Sequence, residues 1–272
     1  VRAPIRLADG SYREPRWRVL SAASLWRAAL LAAGAILFAS CLVLAEVSPA
    51  RLWNGLPIMA RWVATAWPPF LKEVDLMLWR AAETVAIATV GTAFATVFAF
   101  PLSVLVAGNT TPAPALAFPV RWLANTCRAI DTVVFAILFV AAVGLGPFAG
   151  VLGMIVHSVG VIGKLNSEAI ETIPAAPLEA VAMTGANRAK IVTYAVLPSA
   201  LPSLASVSLY VWEANVRTST VLGIVGAGGI GLEIKAAMDL LDFPRLLTLS
   251  VIVLVMVTVI DQLSARLRRR LV

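Results

Sequence analysis

Histidine and cysteine, from which most metal centres and many nucleophilic sites are built, are nearly missing from this sequence. There is one histidine and there are two cysteines in 272 residues. His157 has no carboxylate or cysteine at metal-ligand spacing, so no metal site is expected. It reads as a hydrogen-bonded residue between helices, with a proton carrier as the alternative. Cys41 falls in an apolar run and Cys127 at the edge of another. Neither has a metal-type spacing or a disulfide partner, and both read as small buried residues. No His-Glu-x-x-His and no Gly-x-Ser-x-Gly occurs, so no catalytic residue is expected from those motifs. Charge is also scarce: 14% of residues are charged, against about 25% in an average soluble domain.

The missing charge is concentrated in long apolar runs, the mark of a membrane protein. The net charge of +7 sits mainly at the two ends. Arg2, Arg6, Arg13, Arg16 and Arg18 precede the first apolar run, and Arg266, Arg268, Arg269 and Arg270 follow the last. Basic ends flanking apolar spans follow the positive-inside rule. Both termini are therefore expected in the cytoplasm, and no nucleic-acid partner is expected. The first run is too long for the core of a cleavable signal peptide. The hydropathy pattern predicts an all-α protein with about six transmembrane helices, near 25–45, 81–106, 130–144, 148–162, 198–221 and 246–263. Residues 1–24 form a basic cytoplasmic segment. Residues 46–79, with Trp53, Trp62 and Trp67, read as an outer-face segment that is partly an interfacial helix. Residues 108–128 and 163–193 fall inside, and 226–244 outside.

Two glycine motifs invite nucleotide chemistry and fail on context. The stretch 160–167, GVIGKLNS, lacks the spacing and the hydroxyl residue of a Walker A loop. Gly226, Gly228 and Gly231 form a Gly-x-Gly-x-x-Gly, but it lies between apolar spans and has no acidic residue about 20 positions on. A membrane oxidoreductase using these glycines is thus a minor alternative.

The most informative stretch is 179–198, EAVAMTGANRAKIVTYAVLP. It resembles the cytoplasmic EAA loop of ABC-importer permeases, EAA-x3-G-x9-I-x-LP. Glu179, Ala180, Gly185, Leu197 and Pro198 match. Val181 stands at the second alanine and Ala195 at the isoleucine. Ala186 follows the motif glycine. Two short helices joined at Gly185, with Pro198 starting the next span, would make a knob standing off the membrane. Residues 135–171, 210–231 and 261–271 are similar to the phosphonate permeases of the PhnE family. Relatives often carry a proline after Arg-x-x at the third span, where this chain has Asp131 after Arg128.

The resemblance implies a type I, MetI-like permease core over 81–272, with a coupling loop at about 168–197. It implies a bacterial inner-membrane homodimer surrounded by lipid. Two separate ATPase subunits would bind ATP and magnesium, leaving this chain without a cofactor or an ATPase site of its own. A periplasmic or lipid-anchored binding protein would deliver phosphonate or a close oxyanion such as phosphite or phosphate. A permease for another small solute such as methionine is the alternative, and a self-sufficient channel or secondary transporter is a lesser one.

Glu213 and Arg217 lie in the fifth span at i,i+4 spacing and share a helix face. Charges there normally pair or line a pathway. One reading is an internal ion pair with Asn215 and Thr218 to Thr220 as neighbours. The other puts Arg217, with Ser219 and Thr220, on the path of an anion, which guanidinium groups suit. Glu83 and Asp131 are lesser candidates, Asp131 as a helix N-terminal group. Gly226, Gly228, Gly229 and Gly231 read either as a flexible hinge or as a close-packed element between two copies of the chain.

Overall fold

Helix α1 (Ala22–Leu44) is apolar along its length, and none of its apolar window is buried. Helix α2 (Pro49–Thr65) follows, started by Ser48, whose hydroxyl accepts the Arg51 N–H at 3.2 Å. Proline in the first turn costs α2 nothing, because that N–H has no helical partner anyway. A computed structural model describes residues 5–6, 12–13, 22–111 and 114–271. Most of the expected basic segment 1–24 therefore lies outside the described residues. Ile5–Arg6 pairs antiparallel with Tyr12–Arg13, and all other regular structure among the described residues is helical. The chain divides into a unit of residues 1–61 and one of residues 62–272.

The second unit is built on α3 (Val74–Val106) and α6 (Pro147–Glu171). Around them lie α4 (Pro114–Ala129), α5 (Thr132–Val143), α9 (Leu197–Leu222) and α11 (Phe243–Leu271). Outward faces are rich in large apolar residues, such as Phe94, Val97 and Phe98 on α3 and Val251, Leu254 and Val255 on α11. In hydrocarbon that surface needs no cover, so helix association must come from close packing and polar links. Glycines on α6 permit the close packing. A Cβ on Gly153 would lie 2.7 Å from the Ala136 nitrogen of α5, and one on Gly160 would lie 2.6 Å from the Ala124 carbonyl oxygen of α4.

Several expected boundaries move. Among the described residues, five helices are long and apolar enough to cross a bilayer, and the number is six if one bent pair forms a single span. That pair includes the expected third span, 130–144, which is α5. The pair's second half, α5, has 12 residues, about 18 Å of helix, short of the roughly 30 Å hydrocarbon core. Its first half is α4, in the stretch 108–128 expected to be a loop, and the two halves meet at 88°. Asp131 makes the break: its carboxylate accepts the Val133 N–H at 2.8 Å and starts α5. Asp131 thus has the helix N-terminal role expected of it.

The fourth span runs on to Glu171. Within the part of 163–193 expected as an inner loop, Asn166 and Ser167 are buried on the packed face of α6. The second span begins at Val74, a full two turns early. His157 is held between helices, its Nδ1 being 2.8 Å from the Ile130 carbonyl oxygen. Cys127 is half-buried, whereas Cys41 is exposed on α1 rather than buried, since α1 packs none of its apolar face.

The α6 glycines give a contrast within one helix. Gly160→Ala forces its methyl against α4 backbone and should lower stability by about 1–3 kcal/mol. At Gly163 an added Cβ meets nothing within 4 Å, so Gly163→Ala should be neutral or stabilise by about 0.5–1 kcal/mol. Thermal unfolding of the two purified variants in the same detergent checks both.

Candidate functional site

Three sites follow one another along the chain from α7 to α10. The first is the loop carrying the EAA-like motif. Helix α7 (Ala175–Met183) has no buried residue, and Glu179, Ala180 and Gly185 are exposed. The helix ends in a tight turn: the Thr184 N–H donates to Val181 and the Gly185 N–H to Ala182, at 3.2 and 3.0 Å. Gly185 has φ +75°, with nothing within 4 Å of a built Cβ. Glycine is needed here for its left-handed backbone, not for space. The half-buried Ala186 leads to Asn187, whose side chain accepts the Lys190 N–H at 3.0 Å and caps α8 (Arg188–Ile191). Asn187 completes the turn and was not singled out from the sequence.

The expected second short helix is not separate. From Arg188 the chain continues as one helical rod to Val225. It passes through a π-turn at Val192–Val196, where the Leu197 N–H donates to the Val192 oxygen. Pro198 follows directly. It has no N–H and crowds the carbonyl four residues back, and a widened turn accommodates both effects. Pro198 therefore marks a change of winding inside a helix instead of a helix start.

The loop is tied at its root. The Arg188 guanidinium donates to the Thr111 carbonyl at 2.7 Å, and Arg121 donates to the Val106 carbonyl from Nε at 3.1 Å and Nη2 at 2.5 Å. Glu171 accepts the Gly108 N–H at 2.8 Å, and the Asn109 amide donates to the Ile170 carbonyl at 2.8 Å. Of the arginines that the sequence marks only as inner-face charges, Arg121 covers the last carbonyl of α3, where cations are favoured, and Arg188 covers one in the loop just beyond it.

The second site is the charged pair on α9, which is a triad. Glu213 accepts from Arg217 through Oε1 at 3.2 Å and from Arg268 of α11 through Oε2 at 3.0 Å. The side chains of Glu213, Arg268 and Arg217 are 14%, 29% and 55% exposed. One carboxylate against two guanidiniums leaves one positive charge over, and Arg217 is the accessible partner. Arg268 was read only as part of a basic tail, because its partner is 55 residues away.

The two readings of the neighbouring polar residues also separate. Asn215 and Ser219 turn inward and pack against α3 and α6 within the protomer. The Asn215 amide donates to Thr92 on α3 and Ser158 on α6, both at 2.8 Å, and the Ser219 hydroxyl donates to the Thr84 carbonyl at 3.2 Å. Thr220 is half-buried and donates to the carbonyl of Arg217 itself.

The third site is the glycine stretch. The run before it is helical, the end of α9 and a 3-10 turn at Gly223–Val225, where a dinucleotide fold would need a strand. Gly226, Gly228 and Gly229 have φ of +87°, +83° and +77°. Their missing side chains face atoms of the same chain: Leu145 at Gly226, Pro147 and Glu83 at Gly228, and Thr84 Oγ1 at Gly229. Gly231, in the first turn of α10 (Ile230–Asp239), lies against Gly223 and the Thr220 carbonyl. The close packing seen at these glycines is within one protomer. Thr84 anchors the loop, accepting the Ile230 N–H at 2.8 Å.

Beside this loop lies an ionic network that the sequence showed only as scattered charges. Arg80 pairs with Glu83 at 2.8 Å and with Glu233 at 3.5 Å. Arg245 pairs with Glu233 at 2.9 Å and Glu73 at 3.0 Å. It joins the starts of α3 and α11 to α10.

Comparison with known proteins agrees with this architecture. The model of the family described as "Binding-protein-dependent transport system inner membrane component" matches residues 99–272. HtxC of Stutzerimonas stutzeri, provisionally named a phosphite transport system permease protein, is 50% identical over 218 residues, covering 80% of this chain and 77% of HtxC. The phosphate-import permease protein PhnE of Mycolicibacterium smegmatis is 38% identical over 87% of this chain and 45% of its own length. An inward-facing structure of the MetNI methionine ABC transporter superposes with a TM-score of 0.65 at 24% identity, covering 75% of this chain and 100% of that one. The chain belongs to the family of binding-protein-dependent transport system inner membrane components, with the MetI-like fold, and it is an ABC-importer permease of the PhnE type.

Proposed function

We propose that this permease moves phosphite, a phosphonate or a closely related phosphorus oxyanion into the cytoplasm, passing it over Arg217. The observation that carries the reading is the triad: an accessible guanidinium inside a span, with one positive charge more than its carboxylate neutralises. A guanidinium fork matches the oxygens of such anions, and charge-assisted bonds to it are strong. The relatives named for phosphite and phosphate import support the same class of cargo. A methionine cargo, which carries a cationic amine beside its carboxylate, has less use for a surplus positive charge at this point.

The exposed α7 knob is the part suited to dock on a separate ATPase, which would bind ATP and magnesium. The assembly we propose has two copies of this chain, two ATPases and a binding protein on the outer face. Both termini and the 175–187 knob are then cytoplasmic, and the glycine loop and its ionic network lie at the outer end. A chain that transports without an ATPase would contradict this arrangement.

Two outcomes test the reading in proteoliposomes carrying the complete complex. Arg217→Ala should cut phosphite uptake by about 10- to 100-fold, the value of a charged hydrogen bond lost from the limiting step. Arg217→Lys should keep part of it, and excess methionine should not compete. Undiminished uptake by Arg217→Ala would remove Arg217 from the path.

For the knob, Gly185→Val places a β-branched residue at φ +75° and should store about 1–3 kcal/mol of strain. Uptake and substrate-stimulated ATP hydrolysis should fall together. Gly185→Asn, which tolerates that backbone, should retain most of both.

A further inference from the structure

The triad has an asymmetry that a plain ion pair lacks. Arg217 and Arg268 use different oxygens of Glu213, Oε1 and Oε2, at 3.2 and 3.0 Å. Removing either arginine therefore leaves the other contact intact. Exposure is graded in the same sense: the carboxylate is 14% exposed, Arg268 29% and Arg217 55%. The partner a solute can reach is thus the one whose departure still leaves Glu213 paired.

We infer that Glu213 is a resident counter-ion for Arg217, a carboxylate that the transported oxyanion displaces. Arg268 is the positioning residue that keeps Glu213 paired while Arg217 is engaged elsewhere. This rests on the proposed passage of the anion over Arg217.

The chemistry of exchange follows from the charges. A lone guanidinium at this depth would hold a phosphorus oxyanion too firmly, since charged contacts strengthen as water is excluded. A carboxylate beside it competes for the same donors and limits the hold. A carboxylate without a second partner would be worse, because a mostly buried, unpaired charge is strongly unfavourable. Arg268 removes that difficulty. With no cargo, two guanidiniums share one carboxylate. With cargo, each guanidinium has its own anion, Glu213 for Arg268 and the oxyanion for Arg217. Every member of the triad touches an opposite charge at either stage, and the one surplus positive charge present without cargo is neutralised when the oxyanion binds. The i,i+4 bond that must open is of the weak, partly exposed kind, whereas the Arg268 bond that must hold spans two helices.

The test is the sign of an epistasis, which a merely structural role would not produce. Initial phosphite uptake is measured in proteoliposomes containing the full complex, with ATPase and binding protein, for Glu213→Gln, Arg268→Gln and the double variant. Arg268→Gln leaves Glu213 to cling to Arg217 and should slow uptake about tenfold or more. Glu213→Gln removes the competitor, so the oxyanion is released late, and uptake should fall about threefold. In the double variant there is no carboxylate left to block Arg217, so uptake should return to the Glu213→Gln level, above that of Arg268→Gln.

A double variant no faster than Arg268→Gln overturns the inference, as does an Arg268→Gln complex that works normally. If Arg268→Gln does not assemble, the double variant should assemble and transport, and its failure likewise overturns the inference. Normal uptake by Arg217→Ala would instead remove the underlying pathway. Loss in Arg217→Ala without rescue in the double variant defeats only the counter-ion role.

Discussion

Helices surrounded by hydrocarbon gain nothing by hiding apolar surface from one another, so their association depends on how closely their backbones can approach. In this chain that approach is set by α6. Gly153 and Gly160 let α5 and α4 come to within backbone contact, and the 88° bend between those two helices places one against each glycine. The same economy of side chains appears where α9 meets α10, with Gly223 against Gly231. Polar links then fix what close packing permits. Asn215 joins α9 to both α3 and α6, and Thr84 joins α3 to α9 and to the start of α10. Each of these groups would be costly if left unsatisfied in such surroundings, so the links select one arrangement of the helices.

Against that frame, the charges divide by location. Glu171, Arg121 and Arg188 close the end of α3 nearest the EAA-like loop. Arg80, Glu83, Glu233, Arg245 and Glu73 close the end nearest the glycine loop. Between them stands the Glu213 triad, whose exposed arginine, Arg217, lies inside an apolar span and not at a helix end. Networks that join helix ends need only be satisfied. A group that meets a passing anion must be reachable within a span: Arg245 is 19% exposed, and Arg121 and Arg188, although exposed, are bound to carbonyls at and just beyond the end of α3, which leaves Arg217 as the candidate contact.

What the sequence revealed follows the range of the interactions. The EAA-like spacing, the left-handed need at Gly185 and the capping role of Asp131 are decided within a few residues, and each is readable locally. Helix α4 was not readable beside the third span, because the break at Asp131 leaves two short pieces, neither with a full-length apolar run. The end of α6 was placed too early because polarity along 163–171 does not show that Asn166 and Ser167 face the packed side of the helix. Arg268 and Asn215 could not be placed, since their partners lie 55, 57 and 123 residues away. The glycine fingerprint misled for the same reason: its meaning depends on Thr84, Pro147 and Glu83, none of them near it in sequence.

One helical rod, Arg188–Val225, carries the root of the exposed loop, the triad and the approach to the glycine stretch. About 44 Å of helix separates Arg188 from Arg217 at 1.5 Å per residue. A rod of that length transmits displacement wherever it is regularly wound, and it yields where the winding changes. The π-turn at Val192–Val196 lies within two turns of the loop root, and the left-handed glycines lie just past the far end. On the proposed reading, a push at the knob meets a compliant turn, then a stiff segment that includes Glu213 and Arg217, then a loop pinned by Thr84. Glu213 and Arg217 share the stiff segment, so such a movement leaves their mutual geometry unchanged. Arg268 belongs to α11, so its contact with Glu213 is the one bond of the triad that relative motion of α9 and α11 would stretch or relax. On the proposed reading, movement of the rod would change how much of the Glu213 charge remains for Arg217, and so would link mechanical input to anion release through one carboxylate.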